Sequence, residues 1–218
     1  MKIVAMLAIA LVTSVGIAAQ SPAPIHIVTT TTQATDLITI LSGDLAGESI
    51  QITPLMGAGV DPHLYKPTES DIAAMSEADA IVYSGLHLEG QFDTVFNALA
   101  ERGVQIYALA TPVKEAGYTF GGFRLSAEFT NVDDPHFWFD PRNWQLTAQG
   151  ATEFLSGLIP EHTALFVQNY DAYETQLSAL FNWALDAMSV VPQDQRVLVT
   201  SHDAFQYFGD AFGWEVRG

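Results

Sequence analysis

The sequence predicts an α/β protein with two βαβ lobes, each built on a parallel sheet, and a long helix that connects them. Strand-like runs alternate with helical stretches of about ten residues through the first half of the chain, which is typical of βαβ units. One amphipathic stretch, residues 160–188, is longer than a single lobe of this size requires. A further strand–helix–strand pattern occupies residues 196–216. We expect this last pattern to be a truncated second lobe.

The N-terminus has the features of a secretory signal. Lys2 is followed by an uncharged apolar run at 3–19 and then by polar residues at 20–22. The small residues at 16–19 match a cleavage site, so we expect residues 1–19 to be a cleaved signal peptide. An uncleaved membrane anchor is the alternative, although the run is at the lower limit of the ~17–25 residues that a span needs. No second stretch is long enough to cross a bilayer, so we expect a soluble mature chain.

The elements of the first lobe follow from hydrophobic patterning. It predicts, in order, a strand at 25–30, a helix at 33–45, a strand at 49–54, a strand at 80–83, a helix at 91–102 and a strand at 104–109. Before the third strand, residues 68–71 resemble a capping box that opens a short helix ending at Met75. In open parallel sheets, ligands bind beyond the carboxyl ends of the strands. His63 follows the second strand and the glycine-rich stretch 57–59, which fits that rule.

The middle of the chain predicts a loop and then two helices. Residues 110–132 contain Gly121 and Gly122 but no periodicity, so we expect a long loop. Asp140 and Pro141 are a typical helix start, with aspartate as the cap. The predicted buried face of this helix comprises Trp144, Ala148, Ala151, Leu155 and Leu158. The face of the next helix, at 160–188, comprises Val167, Tyr170, Leu177, Phe181, Ala184 and Met188.

The length of the second helix predicts the domain organisation. At 1.5 Å per residue it extends for roughly 43 Å, and we expect it to connect two lobes. The domains are therefore expected at 24–158 (an N-terminal metal-binding lobe), 159–190 (the connecting helix) and 191–218 (the start of the second lobe). In the last of these we expect a strand at 196–200, a helix at 203–212 capped by Ser201, and a strand beginning at 214.

The amino-acid composition excludes several classes of protein and of metal site. The chain has no cysteine, so an exported protein of this size depends on a core rather than on disulfides, and any metal has N and O ligands. Lipid attachment at an N-terminal cysteine is also excluded, and we expect a periplasmic location. The net charge of −17, which becomes −18 once Lys2 is removed with the signal, argues against nucleic acid. This charge either attracts cations or serves solubility alone.

A repeated tripeptide predicts a metal site. Asp-Pro-His occurs at 61–63 and at 134–136, although the chain has only six histidines; chance would give such a pair in about one chain in 10⁴. Proline stiffens the turn that presents each imidazole, and the preceding aspartate can accept the ring N–H that does not face the metal. His202 is the third candidate, because it opens a predicted helix whose dipole disfavours imidazolium. We therefore predict His63, His136 and His202 as metal ligands.

We expect the remaining polar and aromatic candidates to have structural or supporting roles and not to bind the metal. We expect His26 and His162 to be structural or solvated, and His87 to support the site or be structural rather than ligate. Asp61 and Asp134 either support the imidazoles or only form turns. The aromatic run at 137–139 is expected to pack rather than to recognise a substrate.

Four segments resemble one family. Residues 59–68, 134–141 and 201–208 are similar to the three ligand segments of the zinc and manganese receptors of bacterial ABC uptake systems, and residues 85–90 are also similar to that family. The resemblance covers everything after the signal. It implies two α/β lobes bridged by a long rigid helix, a metal ion between them, and ligand roles for His63, His136 and His202. It also implies a carboxylate ligand from the distal part of the second lobe, beyond Gly218.

The resemblance implies a non-enzymatic function: capture of Zn²⁺ or Mn²⁺ in the periplasm and delivery to a membrane ABC permease, by a monomer. Three imidazoles favour zinc over manganese. Family members dedicated to manganese often have a carboxylate at the position of His202, whereas those dedicated to zinc often have a histidine-rich loop, and residues 110–134 contain no histidine. A zinc hydrolase with a three-histidine site is the alternative, although the chain has no His-Glu-x-x-His signature. An adhesin-like surface protein is a third possibility.

Overall fold

The computed structural model of the chain describes residues 23–124 and 130–218. The predicted signal peptide, at 1–19, lies outside these residues. Within them, no helix is both long enough and apolar enough to cross a membrane. The strands are β1 (Ile25–Thr29), β2 (Ile50–Pro54), β3 (Ala80–Tyr83), β4 (Gln105–Ala108), β5 (Phe123–Arg124), β6 (Thr130–Val132), β7 (Val197–Val199) and β8 (Glu215–Arg217). The helices are α1 (Thr32–Ser42), α2 (Glu69–Ser76), α3 (Asp93–Ala100), α4 (Thr111–Glu115), α5 (Pro141–Leu158), α6 (Thr163–Ser189) and α7 (Gln206–Phe212).

A four-stranded parallel sheet forms the centre of the first lobe, with strand order β2-β1-β3-β4. Side chains alternate between the two faces of a strand, so adjacent residues of β1 enter different cores. Ile27 packs with residues of α1 and α5, whereas Val28 packs with Met75 of α2 and with Phe96 of α3. Both faces of the sheet are therefore covered by helices. The α/β class and the parallel sheet predicted from the sequence are confirmed.

Local signals in the sequence explain where several helices begin. The Thr68 hydroxyl accepts the backbone N–H of Asp71, while the Asp71 carboxylate accepts the backbone N–H of Thr68. This is the predicted capping box of α2. The Asp140 carboxylate likewise accepts the backbone N–H of Arg142 at 2.9 Å and caps α5.

The prediction of a long loop at 110–132 is wrong for the described part of this segment. Helix α4 occupies part of it, and β5 pairs with β6 in the antiparallel direction. Pro112 lies in the first turn of α4, where its missing N–H has no cost. These elements contain two to five residues each, which is too short to show a period of 3.6 or 2 in the sequence.

Helix α6 contains 27 residues and is about 40 Å long. It packs along α5, where the indole N–H of Trp144 donates to the Tyr173 hydroxyl at 3.0 Å. Nearer its C-terminus, the Phe181 ring lies 5.6 Å from the Phe212 ring of α7. The buried face passes through Phe166 instead of the predicted Val167, which is 43% exposed. Because α6 contacts elements on both sides, it is a bridging helix.

A second βαβ unit follows α6. Strands β7 and β8 pair in parallel, with α7 between them. The prediction that Ser201 caps a helix starting at 203 is wrong, since α7 begins at Gln206 and has no side-chain cap. The His202 carbonyl instead accepts the Thr200 hydroxyl at 2.9 Å and the Ala204 N–H at 3.0 Å. These bonds hold residues 201–205 in a tight non-helical turn.

Two glycines of α5 provide a matched test of packing. A Cβ at Gly150 would lie 2.4 Å from Pro112 Cγ and 2.5 Å from the Tyr107 hydroxyl, whereas one at Gly157 would meet nothing within 4 Å. We expect Gly157→Ala to raise the free energy of unfolding by about 0.5 kcal/mol through helix propensity. Gly150→Ala should lower it by about 1–3 kcal/mol through overpacking. Urea denaturation of the metal-free protein measures both changes, and stabilisation of both variants would contradict the close contact at Gly150.

Candidate metal centre

Three separate loops bring imidazoles to one place. His63 lies in the loop after β2, and His202 lies in the turn after β7. His136 follows β6 and directly precedes the 3₁₀ turn Phe137–Phe139 that leads into α5. The carboxyl ends of β2 and β7 therefore each supply one histidine, as expected for open parallel sheets.

The three imidazoles converge through their nitrogens. His136 Nε2 lies 3.2 Å from His63 Nε2 and 3.2 Å from His202 Nε2. One nitrogen from each ring lies within 4.8 Å of the other two, and no other such group occurs in the described part of the chain. In a tetrahedral site with Zn–N bonds of about 2.0–2.1 Å, ligand nitrogens are roughly 3.3 Å apart. The observed separations therefore suit a small divalent cation.

Both Asp-Pro-His motifs form the same turn. Asp61 Oδ1 accepts the His63 backbone N–H at 2.9 Å, and Asp134 Oδ1 accepts the His136 backbone N–H at 2.9 Å. Only Asp134 also reaches its imidazole, since Oδ1 lies 2.7 Å from His136 Nδ1. The two aspartates are therefore both turn formers, and Asp134 is in addition a support for the ring.

The Asp134–His136 pair fixes the ring for ligation. Asp134 is 0% exposed and His136 is 3% exposed. A carboxylate accepts only, so it requires the proton on Nδ1 and leaves the Nε2 lone pair facing His63 and His202. His63 lacks such a support, because its buried Nδ1 has no hydrogen-bond partner among the described residues.

Electrostatics keep His63 neutral. Burial, and then the nearby His136 imidazole, lower the pKa of His63 from 6.5 to about 4. A neutral ring has a lone pair for metal at pH 7. Exposure increases from the buried His136 through the half-buried His63 to the exposed His202. The helix-dipole argument for His202 does not hold, since this residue precedes α7 instead of opening it.

The other histidines do not join the group. His26 Nε2 lies 2.8 Å from the Thr53 hydroxyl, and His162 packs edge-on near Phe166. His87 is exposed, and its Nδ1 lies 3.1 Å from Asp93. The positions of His26 and His162 agree with the structural or solvated interpretation of these residues, and His87, which was expected to support the site or be structural, lies apart from the three converging imidazoles.

A cleft of about 590 Å³ surrounds the three histidines. Thr31, Thr32 and Gln33 form one wall at the start of α1, and Trp138, Phe139 and Phe205 supply aromatic rings. Phe139 and Phe205 are also in contact with each other, with ring centroids 4.4 Å apart. The aromatic run at 137–139 therefore packs, as predicted, but it also lines the cleft.

A buried carboxylate that the sequence did not single out lies at the carboxyl ends of β1 and β3. Glu89 is 1% exposed and accepts hydrogen bonds from the Thr30 hydroxyl at 2.6 Å, Ser84 N–H at 2.8 Å and Gly85 N–H at 3.2 Å. Burial raises its pKa above the ordinary range. The bonds join the carboxyl ends of β1 and β3 and stabilise a turn in which Leu86 and His87 have positive φ. Its only sequence signal is its place in the segment 85–90.

The chain matches the family described as zinc-uptake complex component A, periplasmic, over residues 27–218, and it belongs to this family. It is 40% identical to the zinc-binding protein TroA of Treponema pallidum, over 80% of this chain and 54% of that protein. It is 34% identical to the manganese-binding lipoprotein MntA of Bacillus subtilis, over 86% of this chain and 59% of that protein. The chain thus spans between half and three fifths of the length of these relatives.

A solved structure supports the same fold. The periplasmic zinc-binding protein TroA from Treponema pallidum superposes with a TM-score of 0.74 at 37% identity, covering 89% of this chain and 66% of that one. Two βαβ units with parallel sheets and a long bridging helix are therefore this chain's fold, as predicted.

The Asp134–His136 pair can be tested against the matched turn. We expect Asp134→Asn to weaken zinc binding by about 10–100-fold, the usual cost of removing a support behind a ligand histidine. Asp61→Asn changes a carboxylate whose hydrogen bond goes to the His63 backbone N–H and not to the imidazole, so a loss of less than threefold is expected. Titration calorimetry with zinc measures both constants. Equal losses in the two variants would show that the ring contact of Asp134 is unimportant.

The lowered pKa of His63 predicts a pH-dependent stability. Between pH 6.5 and about 4 the unfolded chain binds a proton at His63 while the folded chain does not, so stability falls as pH falls through this window and is unchanged by His63 above it. After allowance for screening by solvent, we expect the metal-free protein to lose about 1–2 kcal/mol more than His63→Asn. Urea denaturation at pH 7, 5.5 and 4 measures the difference, and parallel curves for the two proteins would contradict it.

Proposed function

We propose that this member of the zinc-uptake component A family captures a divalent transition metal ion outside the cytoplasm and delivers it to a membrane ABC permease. The observation that carries the proposal is the convergence of three Nε2 atoms at zinc-like separations. His63, His136 and His202 are the proposed ligands. The periplasmic description of the family and the predicted signal at 1–19 support a periplasmic location.

Zinc is the favoured cargo. Imidazole nitrogen suits zinc, whereas manganese has the lowest intrinsic affinity of the series and prefers oxygen. The names of the relatives include both metals, so the preference for zinc rests on the donor set. Manganese is the alternative cargo, with added oxygen ligands from water or from a carboxylate.

The distribution of the ligands suits capture followed by release. His63 and His136 belong to the proposed N-terminal lobe at 24–158, and His202 belongs to the βαβ unit within 191–218. A bound cation crosslinks these two parts, with α6 as the bridge at 159–190. Any relative movement that withdraws His202 removes one of three ligands and weakens binding, which would allow transfer to the permease.

The hydrolase alternative has a single candidate base in the described cleft, and this group already serves the turn that presents His63. Among the described residues that line it, Asp61 is the one carboxylate, and its Oδ1 accepts the His63 N–H. A metal-activated water needs a group within hydrogen-bond reach that accepts its proton. Stoichiometric binding without turnover is therefore expected.

Alanine variants test the ligand set. Each of His63→Ala, His136→Ala and His202→Ala should weaken zinc binding more than tenfold, because each removes a donor from the coordination sphere. His26→Ala and His162→Ala are matched controls and should change the affinity less than twofold. Titration calorimetry gives the affinities and a stoichiometry of one. Equal losses in all five variants, or zinc-dependent ester or peptide hydrolysis by the unmodified protein, would overturn the proposal.

A further inference from the structure

Tyr207 is a buried tyrosine whose hydroxyl joins two separate parts of the chain. It lies on α7, in the βαβ unit that also carries His202, and it is 1% exposed. Its hydroxyl donates to the Asp134 carbonyl oxygen at 2.7 Å and is placed to accept the Phe120 N–H at 3.4 Å. Its ring lies 4.9 Å from the Phe120 ring. The hydroxyl thus connects α7 to the segment that carries His136.

Asp134 accepts this bond, and its N–H, its carbonyl and its carboxylate each make a hydrogen bond. Its N–H donates to the Phe120 carbonyl at 2.8 Å, its carbonyl accepts the Tyr207 hydroxyl, and its carboxylate holds the His136 imidazole. A displacement of α7 therefore acts on the backbone of the residue that orients His136. It also displaces the turn that presents His202, because this turn leads directly into α7.

We propose that the Tyr207 hydroxyl is a positioning group that sets the distance between the His136 and His202 imidazoles. The proposal rests on the proposed metal site. Metal ligands must lie within about 0.2 Å of their ideal distances, so two ligands from different units need a directional connection between those units. A hydrogen bond has such a direction, with a narrow range of length and angle.

Other contacts between the two parts are apolar or longer than a hydrogen bond, since the Arg142 guanidinium of α5 lies 4.0 Å from the Asp210 carboxylate of α7, and they do not fix a distance in the same way. The rings of Phe139 and Phe205 are in contact, but burial of apolar surface is non-directional and tolerates sliding. The hydrogen bond of Tyr207, by contrast, is buried. Its loss removes a partner of the buried Asp134 carbonyl, which costs free energy. Burial also raises the pKa of Tyr207 above its ordinary value, so the hydroxyl is protonated and available as a donor at neutral pH.

The test removes one oxygen atom. Tyr207→Phe retains the ring, and we expect zinc affinity to fall about five- to tenfold, the equivalent of one hydrogen bond. Tyr173→Phe is the matched control, because the Tyr173 hydroxyl accepts the Trp144 indole N–H between α5 and α6, within the first lobe and its bridging helix. Its effect on zinc affinity should be less than twofold. Stopped-flow release of zinc to a chelator should show that Tyr207→Phe acts through faster dissociation.

A double-variant cycle separates positioning from a general loss of stability. In a His202→Ala background there is no second-unit imidazole to position, so Tyr207→Phe should then change zinc affinity less than twofold while lowering the melting temperature as before. An equal loss in both backgrounds, or no loss in Tyr207→Phe alone, would refute the positioning role and leave the ligand set intact. If His202→Ala alone leaves affinity unchanged, the proposed ligand set is itself wrong, and the positioning role is refuted with it.

Discussion

The buried Asp134 carboxylate and its bond to His136 are the interaction on which the centre depends. A buried carboxyl group is costly unless hydrogen bonds compensate it; Asp134 Oδ1 accepts both the backbone N–H and the ring N–H of His136, whereas Oδ2 has no hydrogen-bond partner among the described residues. The same residue uses its main chain to hold Phe120 and Tyr207. One residue therefore determines a tautomer, a ring orientation and a contact between two parts of the chain.

Regular elements with strong local signals could be predicted from the sequence. The Thr68–Asp71 capping box and the Asp140 cap follow from short-range chemistry, and the alternation of strands and helices determines the parallel sheet. The repeated Asp-Pro-His also identified two of the three converging histidines, because it combines a stiff turn with a hydrogen-bond acceptor. These features depend on residues that are close in the sequence, so a single sequence is sufficient to predict them.

Features that depend on backbone atoms, on very short elements or on distant contacts could not be predicted in this way. The turn at 201–205 is held by bonds to the His202 carbonyl, and no side-chain pattern marks a carbonyl. The antiparallel pair of β5 and β6 is too short for periodicity to reveal. Glu89 and Tyr207 are ordinary residues in sequence, and they become important only because folding places Thr30 next to one and Asp134 next to the other. The low pKa of His63 likewise arises from burial.

The graded exposure of the three histidines has a kinetic consequence. An ion whose ligands are equally buried can leave only if the whole pocket opens, whereas among the three proposed ligands His202 is exposed while His136 is buried. At the proposed site, exchange would then proceed by associative substitution, in which a donor from outside takes the place of His202 before the two inner histidines release the ion. The lifetime of the bound ion is in that case set by the concentration and the denticity of the acceptor as well as by the affinity of the site.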